Sequence, residues 1–246
     1  MYKEYQPNAL LFPYIETYWT SDNFGGEEIS GRILPDGCVD IIFTFDKTEQ
    51  SFFTSIIGTM TSFLEVNYPQ TVQIFGIRFR PAGITAFTKV CVAEFTDLEV
   101  DLSLVETLLD KSFYETLPQK QTVKEIVTHI DNYLINRIPY LYSCDKQIVR
   151  AVDLICLANG QASPAKIASD VCLCQRHFER KFKAAIGVSP KMFAKVVRFK
   201  NALQCLRIRP NQDILSVALN CGYYDHTHLI KDFRMFSGDT PSDLRC

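Results

Sequence analysis

The alternation of apolar and polar residues divides the chain into a strand-like part and two helical parts. Up to about residue 92, runs such as FFTSIIGTM and TVQIFGIRFRPAG are rich in β-branched and aromatic residues, which predicts strands. The next stretches, DLSLVETLLD and QKQTVKEIVTHIDNYLINR, repeat apolar residues at helical spacing. The apolar stripe of the second stretch is more typical of a core, although a dimer helix has the same pattern. Strands followed by helices favour a β-barrel or sandwich flanked by a helical pair, an α+β arrangement.

The pattern after residue 147 is helical, and capping residues mark where the helices begin. Ser163, followed by a proline, and Asp213 are predicted N-caps of two short helices. Ser189 and its following proline predict the start of a long helix over about Pro190 to Ile208. Thr240, also followed by proline, predicts a last short helix.

Two segments of this helical part are near copies of each other. HFERKFKAAIGVSP, residues 177–190, matches HLIKDFRMFSGDTP, residues 228–241, at a constant offset of 51 residues. Each copy places its aromatic and aliphatic anchors on one helix face and its basic residues on the opposite face. A repeat that served packing alone would need only the anchors, so the repeated basic face indicates a shared function.

Each copy follows a shorter predicted helix and a tight turn. The short helices are offset by 50 residues, so the extra residue lies in the turn, where VCLCQRH becomes CGYYDHTH. A short helix, a turn and a longer basic helix form the helix-turn-helix pattern, whose second helix enters the major groove of DNA.

The charge distribution supports a division into two domains. Residues 144–246 contain 16 basic and 9 acidic residues, whereas the rest of the chain contains 10 basic and 19 acidic residues. A basic domain beside an acidic one suits a polyanion reader joined to a domain that avoids the polyanion. Taken alone, the asymmetry is also compatible with chance variation of surface charge.

The two helix-turn-helix units, joined by one long helix, resemble the DNA-binding domain of the AraC/XylS family of bacterial transcription regulators. The resemblance covers about Gln147 to Arg245, and VALNCGYYDHTHLIKDFRMFSGDTPSDLR is close to the family signature. It implies that both recognition helices enter successive major-groove faces on one side of the DNA. Two departures concern the first unit, where Cys172 replaces the usual glycine of the turn and Cys174 replaces the usual serine cap.

The resemblance also implies which side chains contact DNA. Exposed positions near the start of each recognition helix are expected to read bases, since arginine binds guanine, glutamate accepts from cytosine and isoleucine contacts the thymine methyl group. The predicted base-reading residues are Arg176, Glu179, Arg180, His226, Thr227, Ile230 and Lys231. The predicted phosphate contacts, which position the protein without specifying sequence, are Lys183, Lys195, Arg198, Lys200 and Arg234. For each of them the alternative is an ordinary solvated surface residue.

The phrases PDGCVDIIF and GIRFRPAG resemble a group of AraC-family N-terminal domains. This implies a cupin-like barrel that senses a small molecule, with adjoining helices used for dimerisation. Polar residues that interrupt the apolar strands are the candidates for an effector pocket: Trp19, Asp36, Cys38, Asp40, Arg78 and Arg80. If Arg78 and Arg80 point inward they could clamp a carboxylate or phosphate, and if they point outward they solvate an edge or pair with Asp36 or Asp40.

The sequence predicts no metal, no cofactor and no catalytic residue. The N-terminal half has a single histidine, His129, whereas a metal-dependent cupin enzyme needs several. Cys172 and Cys174 form a CxC pair without a second pair at zinc-finger distance. The nine scattered cysteines favour a reducing cytosol, and no apolar run is long enough for a membrane span.

We therefore expect an N-terminal sensor or dimerisation domain over residues 1–138, a linker over 139–146 and a DNA-binding domain over 147–246. The expected protein is a cytoplasmic, sequence-specific transcription regulator and not an enzyme. Its expected partners are double-stranded DNA, RNA polymerase, a small-molecule effector and a second copy of the chain. Two alternatives stay open for the N-terminal half: a ligand-free protein-interaction or dimerisation module, and an enzymatic domain.

Overall fold

The computed structural model describes residues 2–22, 29–46, 48–69, 71–107, 109–120 and 122–245. Its contacts divide the chain into two compact units. The first unit comprises Met1–Gly31, Cys38–Gly58 and Val66–Cys144, and the second comprises Arg32–Gly37, Thr59–Glu65 and Asp145–Cys246. The outer limits of the predicted domains, residues 1 and 246, lie outside the described residues. The predicted domain ends at 138 and 147 stay predictions.

The first unit is built on an antiparallel sheet. The described strands are β1 (Tyr2–Tyr5), β2 (Ile15–Asp22), β3 (Ile29–Ile33), β4 (Val39–Asp46), β5 (Ser51–Ile57), β6 (Leu64–Tyr68), β7 (Val72–Phe79) and β8 (Glu99–Asp101). Six of them form one sheet in the order β1-β2-β7-β4-β5-β8, and β3 pairs with β6 in a second sheet. Alternate side chains point to opposite faces of a strand, so each face of the large sheet has its own apolar cluster.

One face of the large sheet is the main core of the first unit. Its fully buried members include Phe43, Ile77 and Phe79, and helix residues Ile130 and Leu134 pack against them. The helices of this unit are α1 (Lys111–Thr116) and α2 (Val123–Arg137). The predicted apolar stripe of α2 therefore packs against this core. A capping box between Thr122 and Glu125 begins α2.

The other face of the sheet holds a smaller buried cluster around Trp19 and Ile42. The indole of Trp19 lies against Gly76, its neighbour across β2 and β7. A Cβ atom at Gly76 would lie 2.1 Å from that indole, so the close approach requires glycine. The remaining members of this cluster are Ile57, Val72, Ile74 and the partly buried Tyr68.

The second unit is helical. Its helices are α3 (Lys146–Leu157), α4 (Pro164–Asp170), α5 (Gln175–Ile186), α6 (Pro190–Ile208), α7 (Ile214–Asn220) and α8 (His226–Ser237). The side chains of Ser163, Ser189 and Asp213 cap α4, α6 and α7, which confirms those three predictions. Helix α3, capped by Asp145, is an addition that the sequence pattern did not predict. None of the described helices is long and apolar enough to cross a membrane.

Two predicted helices are wrong. In DLSLVETLLD, Asp101 pairs with Ser55 of β5, Leu102–Leu104 form one 3₁₀ turn, and α1 begins only at Lys111. Pairing with neighbouring backbone overrides the helical spacing there, as it also does at the bridge between Thr88 and Thr107. At the end of the chain, the residues after Thr240 form turns, in which the backbone N–H of Asp243 donates to the backbone oxygen of Thr240 and the Asp243 carboxylate accepts from Thr240.

The architecture confirms the predicted fold class. A β-rich N-terminal region with flanking helices is followed by an all-α region that contains two helix-turn-helix units joined by a long helix.

Candidate nucleic-acid interface

The first helix-turn-helix unit consists of α4 and α5. Phe178 and Phe182 are fully buried on the inner face of α5, and the ring of Phe182 meets that of Phe193 on α6 with centroids 5.6 Å apart. This packing fixes the rotation of α5 about its axis and leaves its opposite face in solvent. The predicted contacts on that exposed face are Arg176, Glu179, Arg180 and Lys183.

The second helix-turn-helix unit consists of α7 and α8 and repeats this arrangement. Phe233 and Phe236 of α8 are fully buried, and both rings pack on Phe199 of α6, with centroids 4.9 and 5.3 Å apart. Helix α6 therefore supplies an aromatic anchor to each recognition helix. The exposed predicted contacts on α8 are His226, Thr227, Lys231 and Arg234, and Ile230 is partly exposed.

Two of the predicted phosphate contacts on α6 already have protein partners. The ammonium of Lys195 lies 3.1 Å from the carboxylate of Asp232, which is 3% exposed. The guanidinium of Arg198 donates to the backbone oxygen of Gly222 at 3.2 Å and lies over the ring of Tyr223. Lys200 is exposed. The phosphate roles of these three residues stay predictions. Lys195 and Arg198 also tie α6 to the second helix-turn-helix unit.

Local hydrogen bonds orient two predicted base-reading side chains of α5. Gln175 donates to the carboxylate of Glu179 at 3.0 Å, and the guanidinium of Arg180 lies 3.2 Å from Nδ1 of His177. Because a guanidinium only donates, His177 accepts through Nδ1 in this arrangement. These bonds lower the number of rotamers that the two side chains must give up when they bind a ligand.

Tyr224, which the sequence reasoning missed, precedes α8. It is 87% exposed and lies in the turn between α7 and α8, whereas its neighbour Tyr223 is buried against His228. The signal that could have found it is the position of the extra residue in the repeat, since Tyr224 belongs to that longer turn. An exposed ring with a hydroxyl group beside a recognition helix is a candidate contact to the DNA backbone.

The buried side chain of Asp232 lies close to Tyr223, whose pKa is shifted. Desolvation, with a further contribution from the Asp232 carboxylate, raises the pKa of the Tyr223 hydroxyl. That hydroxyl and Oδ2 of Asp232 are buried without a hydrogen-bond partner among the described residues. The buried charge of Asp232 is therefore stabilised mainly by Lys195.

Cys172 and Cys174, the two departures from the family pattern, lie in the turn of the first helix-turn-helix unit. The second helix-turn-helix unit has the usual residue types at the equivalent positions, so the two can be compared. Cys172 has a φ of +56°, and the equivalent Gly222 has a φ of +79°. Cys174 caps α5 without a side-chain hydrogen bond, whereas Asp225 accepts from the backbone of His228 at 2.7 Å. Both cysteines therefore occupy positions where glycine and an oxygen cap are more stable.

Replacing these cysteines should stabilise the helical unit. Cys174→Ser is expected to raise the free energy of unfolding by about 1 kcal/mol, because the serine hydroxyl can accept a hydrogen bond from a backbone N–H in the first turn of α5. Cys172→Gly is expected to add roughly 1 kcal/mol by removing a side chain from the left-handed region. Urea denaturation followed by circular dichroism measures both changes. Cys174→Ala is the matched control, and an equal gain from alanine would contradict the capping explanation.

In the N-terminal half, the structure brings together three of the six predicted pocket residues. Two nitrogens of Arg78 lie 3.2 Å from the two carboxylate oxygens of Asp40, and the indole of Trp19 donates to the same carboxylate at 3.4 Å. They come from adjacent strands, since β7 lies between β2 and β4. Of the alternatives left open for Arg78, the structure shows pairing with Asp40.

The other three candidates lie apart from this cluster. Arg80 follows β7, is exposed and donates to the backbone oxygen of Phe12. The thiol of Cys38 lies 3.2 Å from the Glu16 carboxylate. Asp36 belongs to the compact unit that contains the helices α3 to α8. Because Arg80 is exposed and bound elsewhere, the described residues do not pair it with Arg78 as a clamp.

A shallow cleft along α2 is a further cavity that the sequence did not indicate. Its volume is about 360 Å³, and its lining residues are Lys120, Lys124, Glu125, Thr128, His129 and Asn132. Burial, together with the charge of Lys120, lowers the pKa of His129. Among the described residues, no group of three or more His, Cys, Asp or Glu side chains is placed to hold a metal ion.

Comparison with protein-family models gives a match in each half of the chain. A helix-turn-helix domain model matches residues 167–246. A model described as a domain of unknown function (DUF6597) matches residues 3–101.

Curated relatives match the helical part. An HTH-type transcriptional regulator, ArgR of Pseudomonas aeruginosa, is 31% identical over 80 residues, which are 32% of this chain and 24% of that protein. An uncharacterized HTH-type transcriptional regulator of Haemophilus influenzae is 31% identical over 80 residues, which are 32% of this chain and 26% of that protein. The match thus spans about a quarter of the length of these relatives.

Solved structures include two similar chains. A Chromobacterium violaceum transcriptional regulator with an AraC-type DNA-binding domain is 27% identical, covering 40% of this chain and 88% of that chain, with a TM-score of 0.38. ToxT of Vibrio cholerae is 8% identical, covering 99% of this chain and 97% of that chain, with a TM-score of 0.47. The matched domain model and the curated relatives show that residues 167–246 form a helix-turn-helix domain of the AraC type, as found in HTH-type transcriptional regulators.

Proposed function

We propose that this protein is a sequence-specific DNA-binding transcription regulator that reads two neighbouring segments of one DNA face. The observation that carries this proposal is the duplicated recognition helix. Helices α5 and α8 both bury aromatic side chains against α6 and both present basic residues on the opposite face. A single long helix holds the two units, so one chain can engage two turns of the major groove.

In this proposal, bases and phosphates are contacted by different side chains. The exposed residues in the first turns of α5 and α8 read base edges, with Arg176 and Arg180 suited to guanine. Lys183 and Arg234, further along the helices, contact phosphates and set the position of each helix without reading sequence. Tyr224 and Lys200 extend the phosphate-contacting surface.

The experiment that tests the proposal is genome-wide selection of DNA fragments by the purified protein across a salt series. We expect a motif with two short blocks about one helical turn apart. Affinity should fall with salt, because phosphate contacts release counterions. Binding that weakens with salt but selects no motif would contradict sequence-specific regulation and leave only contact with phosphates.

A regulator of this family acts in the cytoplasm, where it meets DNA and RNA polymerase, and a second copy of the chain could supply another pair of helices. A small-molecule effector would act by binding one arrangement of the protein more tightly than another.

The polar cluster of Trp19, Asp40 and Arg78 inside an apolar sheet face is the candidate site for a small anionic or hydrogen-bonding molecule. Trp19 is the single tryptophan of the chain, so an effector bound there should change its fluorescence.

The rival for the N-terminal half is a ligand-free interaction module. The observation that favours it is the packing of the same sheet face, where Ile42, Ile57 and Ile74 are buried beside Trp19 and the charge of Arg78 is balanced by Asp40. A screen of small carboxylates and phosphates that leaves Trp19 fluorescence unchanged, with a stable dimer in solution, would support this module over the sensor.

A further inference from the structure

Two short segments of the N-terminal half belong to the helical unit. They are residues 32–37, which run from the end of β3 to the turn before β4, and residues 59–65, which run from the turn after β5 into the start of β6. Each segment places one polar side chain at the C-terminal end of a recognition helix. Neither segment is part of the helix-turn-helix pattern, so the signature sequence gives them no role.

Arg32 of the first segment binds the end of α8. Its guanidinium donates to the backbone oxygen of Ser237 at 3.0 Å and to the carboxylate of Asp239 at 2.7 Å. It also lies over the ring of Phe63, 5.0 Å from the centroid. A cation at the C-terminal end of a helix neutralises the free carbonyl groups and the negative end of the helix dipole. Arg32 is therefore a C-terminal cap supplied from outside the helix.

Thr59 of the second segment binds the end of α5. Its side chain is fully buried, and its hydroxyl donates to the backbone oxygen of Ile186, the last residue of that helix. Leu34, in the first segment, packs against the apolar core formed by α6, α7 and α8. The two recognition helices thus have equivalent supports, one at each C-terminal end.

The supports leave the predicted DNA-binding faces open. The predicted base-reading residues lie near the start of α5 and α8, whereas Thr59 and Arg32 contact the last turn of each helix. The contacts are therefore compatible with bound DNA and do not block it. The two segments are also linked to each other, because β4 follows the first, β5 precedes the second, and Asp40 pairs with Ile57 across these strands.

We propose that Arg32 and Thr59 are positioning residues for DNA recognition, which hold the ends of α8 and α5 so that both helices meet two blocks of DNA at a fixed spacing. This inference rests on the proposed DNA-binding function. Holding both helices in place before binding lowers the entropy lost when they bind together. The advantage applies to DNA that engages both helices and not to DNA that engages one.

The test compares DNA with two blocks and DNA with one block, using the full chain. For two-block DNA, Arg32→Gln should weaken binding by about tenfold, because a neutral, shorter glutamine amide cannot replace both hydrogen bonds of the charged guanidinium. Thr59→Val, which removes a neutral donor at similar volume, should weaken it by about fivefold. Single-block affinity should change by less than about twofold for both variants. The matched control is Glu65→Gln, since the 71%-exposed Glu65 is the other carboxylate partner of Arg32, and it should change neither affinity.

The outcomes separate this inference from the proposed function. Equal losses on both DNAs would mean a general structural role, and unchanged or tighter two-block binding would also overturn the positioning role. If the unaltered protein selects no DNA motif, the proposed function fails, and hydrogen exchange then tests the supports directly. Arg32→Gln should speed amide exchange in the last turn of α8, and Thr59→Val should do so in α5, while unchanged exchange in both would refute the supports.

Discussion

Lys195→Met is expected to lower the free energy of unfolding of the helical unit by about 3 kcal/mol, because it leaves the Asp232 carboxylate buried without a counter-ion. Asp232 is 3% exposed, and its second carboxylate oxygen already lacks a hydrogen-bond partner among the described residues. The Lys195 side chain is 27% exposed, so we place the effect at the lower end for a buried pair. Urea denaturation followed by circular dichroism would measure it.

The matched control for this prediction is Lys200→Met. It makes the same chemical change on the same helix at an exposed position, and should change stability by less than about 0.5 kcal/mol. The double variant Lys195→Met with Asp232→Leu removes both charges, and stability should return close to its original value. A single Lys195→Met variant as stable as the Lys200→Met control would contradict the ion pair.

The double variant also decides whether Lys195 contacts DNA. If Lys195 only holds α6 against α8, the double variant should keep the DNA affinity and salt dependence of the unaltered protein. If Lys195 contacts a phosphate, as the sequence predicted, affinity should fall and the salt slope should drop by about 1. Lys200→Met provides the reference for a phosphate contact that has no structural role.

The sequence predicted the helical unit well because its signals are local. The caps Ser163, Ser189 and Asp213 act on helices that begin at the next residue, and the duplicated anchors fix which face of α5 and α8 is buried. The replacement of the family's usual glycine by Cys172 also marked a turn position, and Cys172 has a φ of +56° there. These features depend on a few neighbouring residues, so a linear pattern contains them.

The features that the sequence did not predict depend on contacts between distant residues. Lys195 looked like a free phosphate contact because its partner, Asp232, lies on another helix. The pairing of Asp40 with Arg78 depends on the register of β4 and β7, which no local pattern specifies. In DLSLVETLLD, pairing of Asp101 with Ser55 replaced a helix that local spacing favoured.

The same reasoning applies to Arg32 and Thr59. Arg32 lies near the end of β3 and Thr59 follows β5, and polar residues at such positions predict only a turn or a strand end. Their role became visible only when their hydrogen bonds to Ser237 and Ile186 were known. In the helical unit, sequence reasoning therefore located the recognition helices but not the residues that support their ends.

Arg180→Ala is expected to weaken binding to the preferred two-block DNA by about 10- to 100-fold, the range for a lost bidentate contact between arginine and guanine. Arg180 is exposed in the second turn of α5, and His177 orients its guanidinium. The loss should be confined to DNA that carries the preferred base in the first block. DNA with that base pair changed should bind the variant and the unaltered protein about equally.

Lys183→Ala is the matched comparison, because Lys183 lies one turn further along the same exposed face. It should weaken binding to all sequences alike and reduce the salt slope by about 1, as expected for a phosphate contact. The repeat supplies an internal check, since Lys231 and Arg234 occupy the equivalent positions of α8. Lys231→Ala should relax selectivity in the second block only. If Arg180→Ala instead weakens all sequences alike and lowers the salt slope, Arg180 contacts a phosphate, and base reading by α5 then falls to Arg176 and Glu179.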